Sequence, residues 1–262
     1  MNKGEYKYLS PFIHKYKNSY EMLFCNRGLN KNFYGEINFA KSKNLKVWKK
    51  IKKKITPNDY NKIKSFINPF IFKHNRKSIL FLEAQMKSKS EIFYSDSQFS
   101  KIRKFKKLPY KGSYLSPFLL KEGNKIFMFY SYSKKSIRCS VYDKEFRFLE
   151  SFICFNANLD NEKFSIYSPY VFKFRKNYYM FYSAWKNKNE GNINIAQSKN
   201  CIDWKKTKKN VFKLTNQIKI ISEPFIVFKR KVYIFYEFKI KSLWNINFEI
   251  LSIKQFCKLL KI

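Results

Sequence analysis

The apolar positions of this chain fall into short aromatic and β-branched runs separated by polar turns, a pattern that predicts strands. Five such runs, Tyr20–Phe24, Ile79–Leu82, Ile126–Tyr130, Tyr178–Tyr182 and Val232–Tyr236, each follow a segment built around a proline and an aromatic residue. Those segments are Leu9-Ser10-Pro11-Phe12, Ile67-Asn68-Pro69-Phe70, Leu115-Ser116-Pro117-Phe118, Tyr167-Ser168-Pro169-Tyr170 and Ser222-Glu223-Pro224-Phe225. They recur about every fifty residues, the spacing of a supersecondary repeat. In the first and fourth units the match continues: Phe39-Ala40-Lys41-Ser42-Lys43-Asn44 parallels Ile195-Ala196-Gln197-Ser198-Lys199-Asn200, and each leads to a tryptophan, Trp48 or Trp204, expected to begin a fourth strand. Four antiparallel strands repeated five times predict an all-β, five-bladed β-propeller, with blades starting near residues 10, 68, 116, 168 and 223. In the last unit Phe248–Leu251 supplies a third strand, residues 256–262 are ambiguous, and Glu5 to Leu9 are expected to help close the ring.

Composition fits one compact domain over residues 1–262. The chain is long enough to bury a substantial core, and its 20% aromatic content suits the wedge-shaped spaces between blades. The longest irregular stretch, Lys52 to Ser65, reads as a lysine-rich surface excursion. No segment approaches the roughly 20 apolar residues that span a bilayer, and the first residues lack the apolar stretch of a secretory signal. Five cysteines, Cys25, Cys139, Cys154, Cys201 and Cys257, share no close spacing. They favour a reducing, cytoplasmic compartment over a disulfide framework or zinc site.

The formal charge of +37 would attract anionic polymers or surfaces weakly. Only seven of the 55 basic residues are arginine, the residue suited to bidentate phosphate and base recognition, and lysines occur along the whole chain. A solvated basic surface is therefore expected, without a specific nucleic-acid site.

Five units with an X-Pro-aromatic start, a strand such as Tyr178–Ser183 and a Ser-x-Asn-x-x-x-Trp tail resemble the propeller glycoside hydrolases of families 43, 32 and 68, the arabinanases, xylosidases, invertases and levansucrases. The resemblance covers nearly the whole chain. It implies a funnel for an oligosaccharide or polysaccharide, no cofactor, and carboxylates flanking the glycosidic bond. In those families an aspartate precedes the first proline, a second aspartate opens a middle unit and a glutamate lies in the fourth. Here the corresponding positions hold Ser10, Ser116 and Ser168, and a hydroxyl cannot replace a carboxylate as base.

Other carboxylates approach the expected funnel. With the second strands aligned on Phe24, Phe81, Phe129, Phe181 and Phe235, the position two residues on reads Asn26, Glu83, Ser131, Ser183 and Glu237. Glu223, Glu237 and Glu83 are thus candidate catalytic carboxylates, since a close pair would push one pKa upward. Ser10, Asn68, Ser116, Ser168, Asn26, Arg27 and Trp185 are candidate substrate contacts. The alternative is a noncatalytic glycan-binding propeller serving polysaccharide biosynthesis or modification. His14 and His74 nominate no third metal ligand, Trp48 and Trp204 read as blade packing, and Asp203 as a turn residue. Phosphate-cradling, serine-hydrolase and dinucleotide motifs are lacking. A monomer is expected.

Overall fold

A computed structural model describes residues 6–28, 35–57, 60, 62–96, 99 and 101–260. The backbone is all-β with one short helix. The first antiparallel sheet runs β1 (Tyr6–Tyr16), β2 (Ser19–Gly28), β3 (Glu36–Ser42) and β4 (Lys49–Ile55). The second is β5 (Ser65–His74), β6 (Lys77–Gln85), β7 (Ser90–Ser95) and the two-residue β8 (Arg103–Lys104). The third is β9 (Tyr114–Glu122), β10 (Lys125–Tyr132), β11 (Ser136–Asp143) and β12 (Phe148–Asn156). The fourth is β13 (Ser165–Phe174), β14 (Asn177–Asn187), β15 (Glu190–Ser198) and β16 (Lys205–Asn210). Then β17 (Ile220–Phe228), β18 (Val232–Ile240) and β19 (Leu243–Leu251) form an antiparallel set tied to β15 by a parallel bridge at Gly191 and Ile220.

This last set departs from the expected four strands. Among the described residues β19 has no outer neighbour, and the chain turns instead into α1 (Ile253–Leu260). The ambiguous tail is therefore helical through Leu260. Phe256 and Leu260 are buried against Phe172, Phe181 and Ile234, so helix packing takes the place of a strand there. The connection after the first sheet is also shorter than expected: Lys52–Ile55 belongs to β4, and Ile55, Pro57 and Ile63 are buried rather than displayed on a surface excursion. Trp48 and Trp204 sit one residue before β4 and β16. Each donates its indole N–H to a carbonyl three residues back, Leu45 at 3.1 Å and Cys201 at 3.0 Å, and packs edge-on against Phe235 or Phe129 of the neighbouring sheet. Glu5 lies outside the described residues, whereas Tyr8 packs near Phe248, bringing β1 against β19.

First strands lie side by side in a closed circuit: β1 beside β5, β5 beside β9, β9 beside β13, β13 beside β17 and β17 beside β1. The aromatic residue after each proline closes the same circuit. Phe12 meets Phe70 at 5.1 Å between ring centroids, Phe70 meets Phe118 at 4.7 Å, Phe118 meets Tyr170 at 4.9 Å, Tyr170 meets Phe225 at 4.8 Å and Phe225 returns to Phe12 at 5.0 Å. Four of the five contacts are edge-on and the other is tilted, arrangements favoured by the ring quadrupoles.

Each repeat start also carries a bulge. Ser10 and Pro11 oppose the single residue Phe24, and the same two-against-one mismatch places Asn68-Pro69, Ser116-Pro117, Ser168-Pro169 and Glu223-Pro224 opposite Leu82, Tyr130, Tyr182 and Tyr236. The residue before each proline is left-handed, with φ of 54° at Ser10, 51° at Asn68, 52° at Ser116, 51° at Ser168 and 53° at Glu223. Glycine would adopt this conformation without strain, and a side chain there costs on the order of 1 kcal/mol. The five strained positions persist because neighbouring sheets hold them.

Candidate functional site

The bulges turn Ser10, Asn68, Ser116, Ser168 and Glu223 together around one small central cavity of about 50 Å³, which the prolines and the aromatic pentagon also line. Ser168 donates its hydroxyl to Ser116 Oγ at 3.0 Å, and Asn68 Nδ2 donates to Ser116 Oγ at 2.7 Å and to Glu83 Oε2 at 2.7 Å. Four of the five positions anticipated as a polar ring are buried, and Glu223 is half-buried.

Strand register fixes the second layer. Leu9 pairs with Cys25, Ile67 with Glu83, Leu115 with Ser131, Tyr167 with Ser183 and Ser222 with Glu237. The first-sheet member of this layer is therefore Cys25, not Asn26. Phe12 pairs with Leu23, so the equivalent of Phe81 is Leu23, and the expected alignment on Phe24 was one residue out. Asn26 pairs with Tyr8, projects to the opposite face and is buried. Cys25 is fully buried, and burial pushes its thiol up to about 12.

Three members of this layer do the same work. Glu237 Oε2 accepts the Ser10 N–H at 3.1 Å, Glu83 Oε2 accepts the Ser116 N–H at 3.0 Å and Ser183 Oγ accepts the Glu223 N–H at 2.9 Å. In each case a second strand satisfies the backbone of the left-handed residue on the next sheet around the ring. Ser131 Oγ makes a related link, donating to the Ile166 carbonyl at 2.7 Å. The position calls for an acceptor, and a serine hydroxyl meets the need as well as a carboxylate does.

Glu83 and Glu237 are accordingly committed. Glu83 also accepts from Ser90 Oγ at 2.7 Å, and Glu237 from Ser222 Oγ at 2.7 Å. Burial raises the pKa of Glu83, and its hydrogen bonds oppose that rise. Burial likewise lifts Glu237 to about 7, against its bonds from Ser222 and the Ser10 amide and the charge of Arg27. Glu223 differs from both. Burial and then the neighbouring Glu237 charge hold its pKa well above the usual carboxylate range, with Ser168 as its side-chain hydrogen-bond partner. On Glu223, burial and the neighbouring charges of Glu237 and Glu83 act in the same direction.

Two residues beyond this layer, register brings Arg27, Gln85 and Trp185 to the ends of β2, β6 and β14. Arg27 donates to Ser65 Oγ at 3.1 Å and also to Gln85 Oε1, so it joins the first two sheets. Trp185 is buried between Tyr167, at 6.0 Å, and Trp244, at 6.1 Å and near-parallel. Gly191 makes that packing possible, since a Cβ there would come within 3.0 Å of the Trp185 ring. Tyr167 lies close enough to Glu237 and Glu223 for their charges to add to the effect of burial on its phenol. Trp244 and Tyr167 escaped the sequence reading because the repeat gives neither a distinctive partner; the pairing of Tyr167 with Ser183 was the available signal.

Three of the anticipated contact residues carry buried polar atoms without a partner among the described residues: Asn68 Oδ1, Asn26 Oδ1 and Trp185 Nε1. Such atoms are uncommon in folded proteins and call for an explanation. His14 instead bonds Glu21 at 3.2 Å, and His74 stacks on Phe72. No group of three or more His, Cys, Asp or Glu among the described residues is arranged to hold a metal ion. No helix among them is long and apolar enough to cross a membrane.

No protein-family model matches the chain, and no curated protein matches its sequence. Solved structures do match its backbone. The GH43 protein BlXynB from Bacillus licheniformis superposes with a TM-score of 0.72 at 15% identity, over 95% of this chain and 53% of that one, so this chain spans about half its length. An endo-1,4-beta-xylanase from Bacteroides thetaiotaomicron gives a TM-score of 0.70 at 14% identity, over 95% of this chain and 97% of that one. The catalytic domain of a GH62 alpha-L-arabinofuranosidase from Coprinopsis cinerea gives 0.72 at 10% identity, over 94% and 91%. The chain therefore has the all-β propeller fold of the GH43 and GH62 glycoside hydrolases.

Proposed function

We propose that the chain is a five-bladed β-propeller that binds an oligosaccharide or polysaccharide at the polar mouth of its central channel, without cleaving it by the two-carboxylate route. The polar ring of Ser10, Asn68, Ser116, Ser168 and Glu223 lining the central cavity carries this reading, because sugar hydroxyls can both donate and accept. Tyr167 and Trp244, partly exposed on either side of the buried Trp185, offer apolar surface alongside, and Arg27 adds polar character. A central cavity of about 50 Å³ is far below the roughly 300 Å³ at which enclosing ligand pockets begin, so the sugar would rest over the mouth. Two-carboxylate hydrolysis needs a free base as well as an acid. Glu83 and Glu237 are each engaged in holding a neighbouring backbone, whereas the side-chain partner of Glu223 is the Ser168 hydroxyl.

A second reading rests on the mutual influence of Glu223 and Glu237. Environments that push two carboxyl groups apart in pKa suit one as acid and the other as base, with Glu83 as the further candidate. Calorimetric titration with a panel of neutral and acidic oligosaccharides, run beside a hydrolysis panel on wild type and Glu223→Gln, separates the two. Binding without turnover in wild type is the expected result. Turnover abolished by Glu223→Gln with folding intact would overturn the binding reading in favour of the enzyme.

A further inference from the structure

Propeller sheets end outward in an edge strand, and an open edge invites pairing with another chain unless it is blunted. Four edges here are blunted in recognisable ways. The β4 strand, Lys-Lys-Ile-Lys-Lys-Lys-Ile, is lysine-rich and carries a bulge against β3. The β8 strand is two residues long, both basic. The β12 strand has two register breaks against β11. The β16 strand is lysine-rich and has a break against β15.

The β19 edge has none of these devices. Its sequence Leu-Trp-Asn-Ile-Asn-Phe-Glu-Ile-Leu holds no lysine, arginine or proline. Its register with β18 runs without a break from Leu251 opposite Val232 to Leu243 opposite Ile240. Among the described residues nothing pairs with its other side. The strand is also symmetric in character about Asn247. Turned end for end against a copy of itself, it sets Leu243 opposite Leu251, Trp244 opposite Ile250, Asn245 opposite Glu249, Ile246 opposite Phe248 and Asn247 opposite Asn247. Each apolar residue meets an apolar one and each polar residue a polar one, on the matching face of the pleat.

We infer that β19 is a self-association edge, pairing antiparallel with β19 of a second copy about a two-fold axis through Asn247. The occupant is a second copy because the strand is complementary to its own reverse and carries no cation, in a chain whose outer strands β4, β8 and β16 are basic. A two-fold interface of this kind uses the same patch on both subunits. With +37 on each chain, association should strengthen as salt screens the repulsion.

Sedimentation of the full chain at rising protein concentration, in low and high salt, tests the inference. The expected species in high salt has about twice the 31.9 kDa of one chain, and its share falls at low salt. Asn247→Lys, which sets like charges opposite one another, should leave a monomer with the circular dichroism and melting of wild type. A second variant reports register independently of affinity. In an antiparallel pair, opposite Cα atoms lie about 4.5–5.5 Å apart, within disulfide reach, so Asn247→Cys should cross-link to its own copy on oxidation. Asn245→Cys, which faces Glu249, should not, and the five native thiols are buried. A monomer at every salt and concentration, a dimer unaffected by Asn247→Lys, or equal cross-linking of the two cysteine variants would each overturn the inference.

Discussion

Ser10 and Glu237 stand 227 positions apart in the chain, and the N–H of the first donates to the carboxylate of the second at 3.1 Å, joining the first sheet to the last. The bond satisfies a backbone group that the bulge has turned away from its own sheet. Glu237→Leu should leave the Ser10 amide and the Ser222 hydroxyl unpaired and destabilise the fold by about 2–6 kcal/mol in urea unfolding, at roughly 1–3 kcal/mol for each unpaired group. Glu237→Gln keeps an acceptor and should cost much less.

The same carboxyl gives the stability a pH dependence of definite sign. Its pKa is raised on folding from 4.5 to about 7, so the folded state holds its proton where the unfolded chain has released it. That contribution is complete below the unfolded value and is lost as pH rises through about 7. The difference in unfolding free energy between wild type and Glu237→Gln should therefore shift against wild type by on the order of 3 kcal/mol between pH 4 and pH 8. A difference independent of pH would show that the carboxyl titrates normally.

The left-handed residue before each proline allows a test at Ser10, whose hydroxyl has no hydrogen bond among the described residues. Ser10→Gly should be neutral or stabilising by up to about 1 kcal/mol, because glycine adopts this conformation without strain. Ser10→Val should destabilise by more than about 1 kcal/mol, since a β-branched residue is least tolerant of positive φ. Thermal melting of the pair checks both signs.

Much of this architecture was legible in the sequence, and its limits have physical causes. The Pro-aromatic repeat located every first strand because a bulge with a fixed residue order needs the same residues each time. The Ser-x-Asn turns before Trp48 and Trp204 were equally readable: Ser42 and Ser198 each bond the asparagine two residues on, at 3.2 and 3.0 Å. Asn26 was misplaced because Leu23 and Phe24 are both apolar, and apolar identity does not reveal which of two neighbours faces the partner strand. Glu83 and Glu237 were recognised as channel carboxylates, but their engagement with Ser116 and Ser10 depends on sheet neighbours far apart in sequence. Helix α1 was hidden in a tail too short for its period to stand out.

Away from the channel, Glu162 is fully buried and accepts from Lys206 at 2.6 Å, Tyr182 at 2.6 Å and the amides of Asn158 and Leu159 at 3.0 and 3.1 Å. Although burial opposes ionisation, these partners together hold its carboxyl below the usual range. Lys206→Ala should cost about 3–5 kcal/mol in denaturant unfolding by stranding a buried charge. Adding Glu162→Gln should recover part of that loss, and a double-mutant cycle reads the coupling.

Gly191 connects packing to the proposed glycan surface. Gly191→Ala places a methyl group against the rigid Trp185 ring and should displace it, weakening oligosaccharide affinity at least about ten-fold with a change in tryptophan emission. Unchanged affinity in a folded variant would remove Trp185 from the binding surface.

The aromatic pentagon also governs the order in which the molecule can be completed. Four of its contacts join sheets adjacent in the chain, but Phe12 against Phe225 spans more than two hundred residues. During synthesis Phe12 must wait for nearly the whole chain before its second neighbour exists, and the first sheet spends that interval with one flank uncovered. Closing so long a loop costs little more entropy than closing a shorter one, but such non-local contacts slow folding. The final closure of the ring is thus the step at which an unfinished chain is most exposed to misassociation, and the one that a folding helper would have most cause to protect.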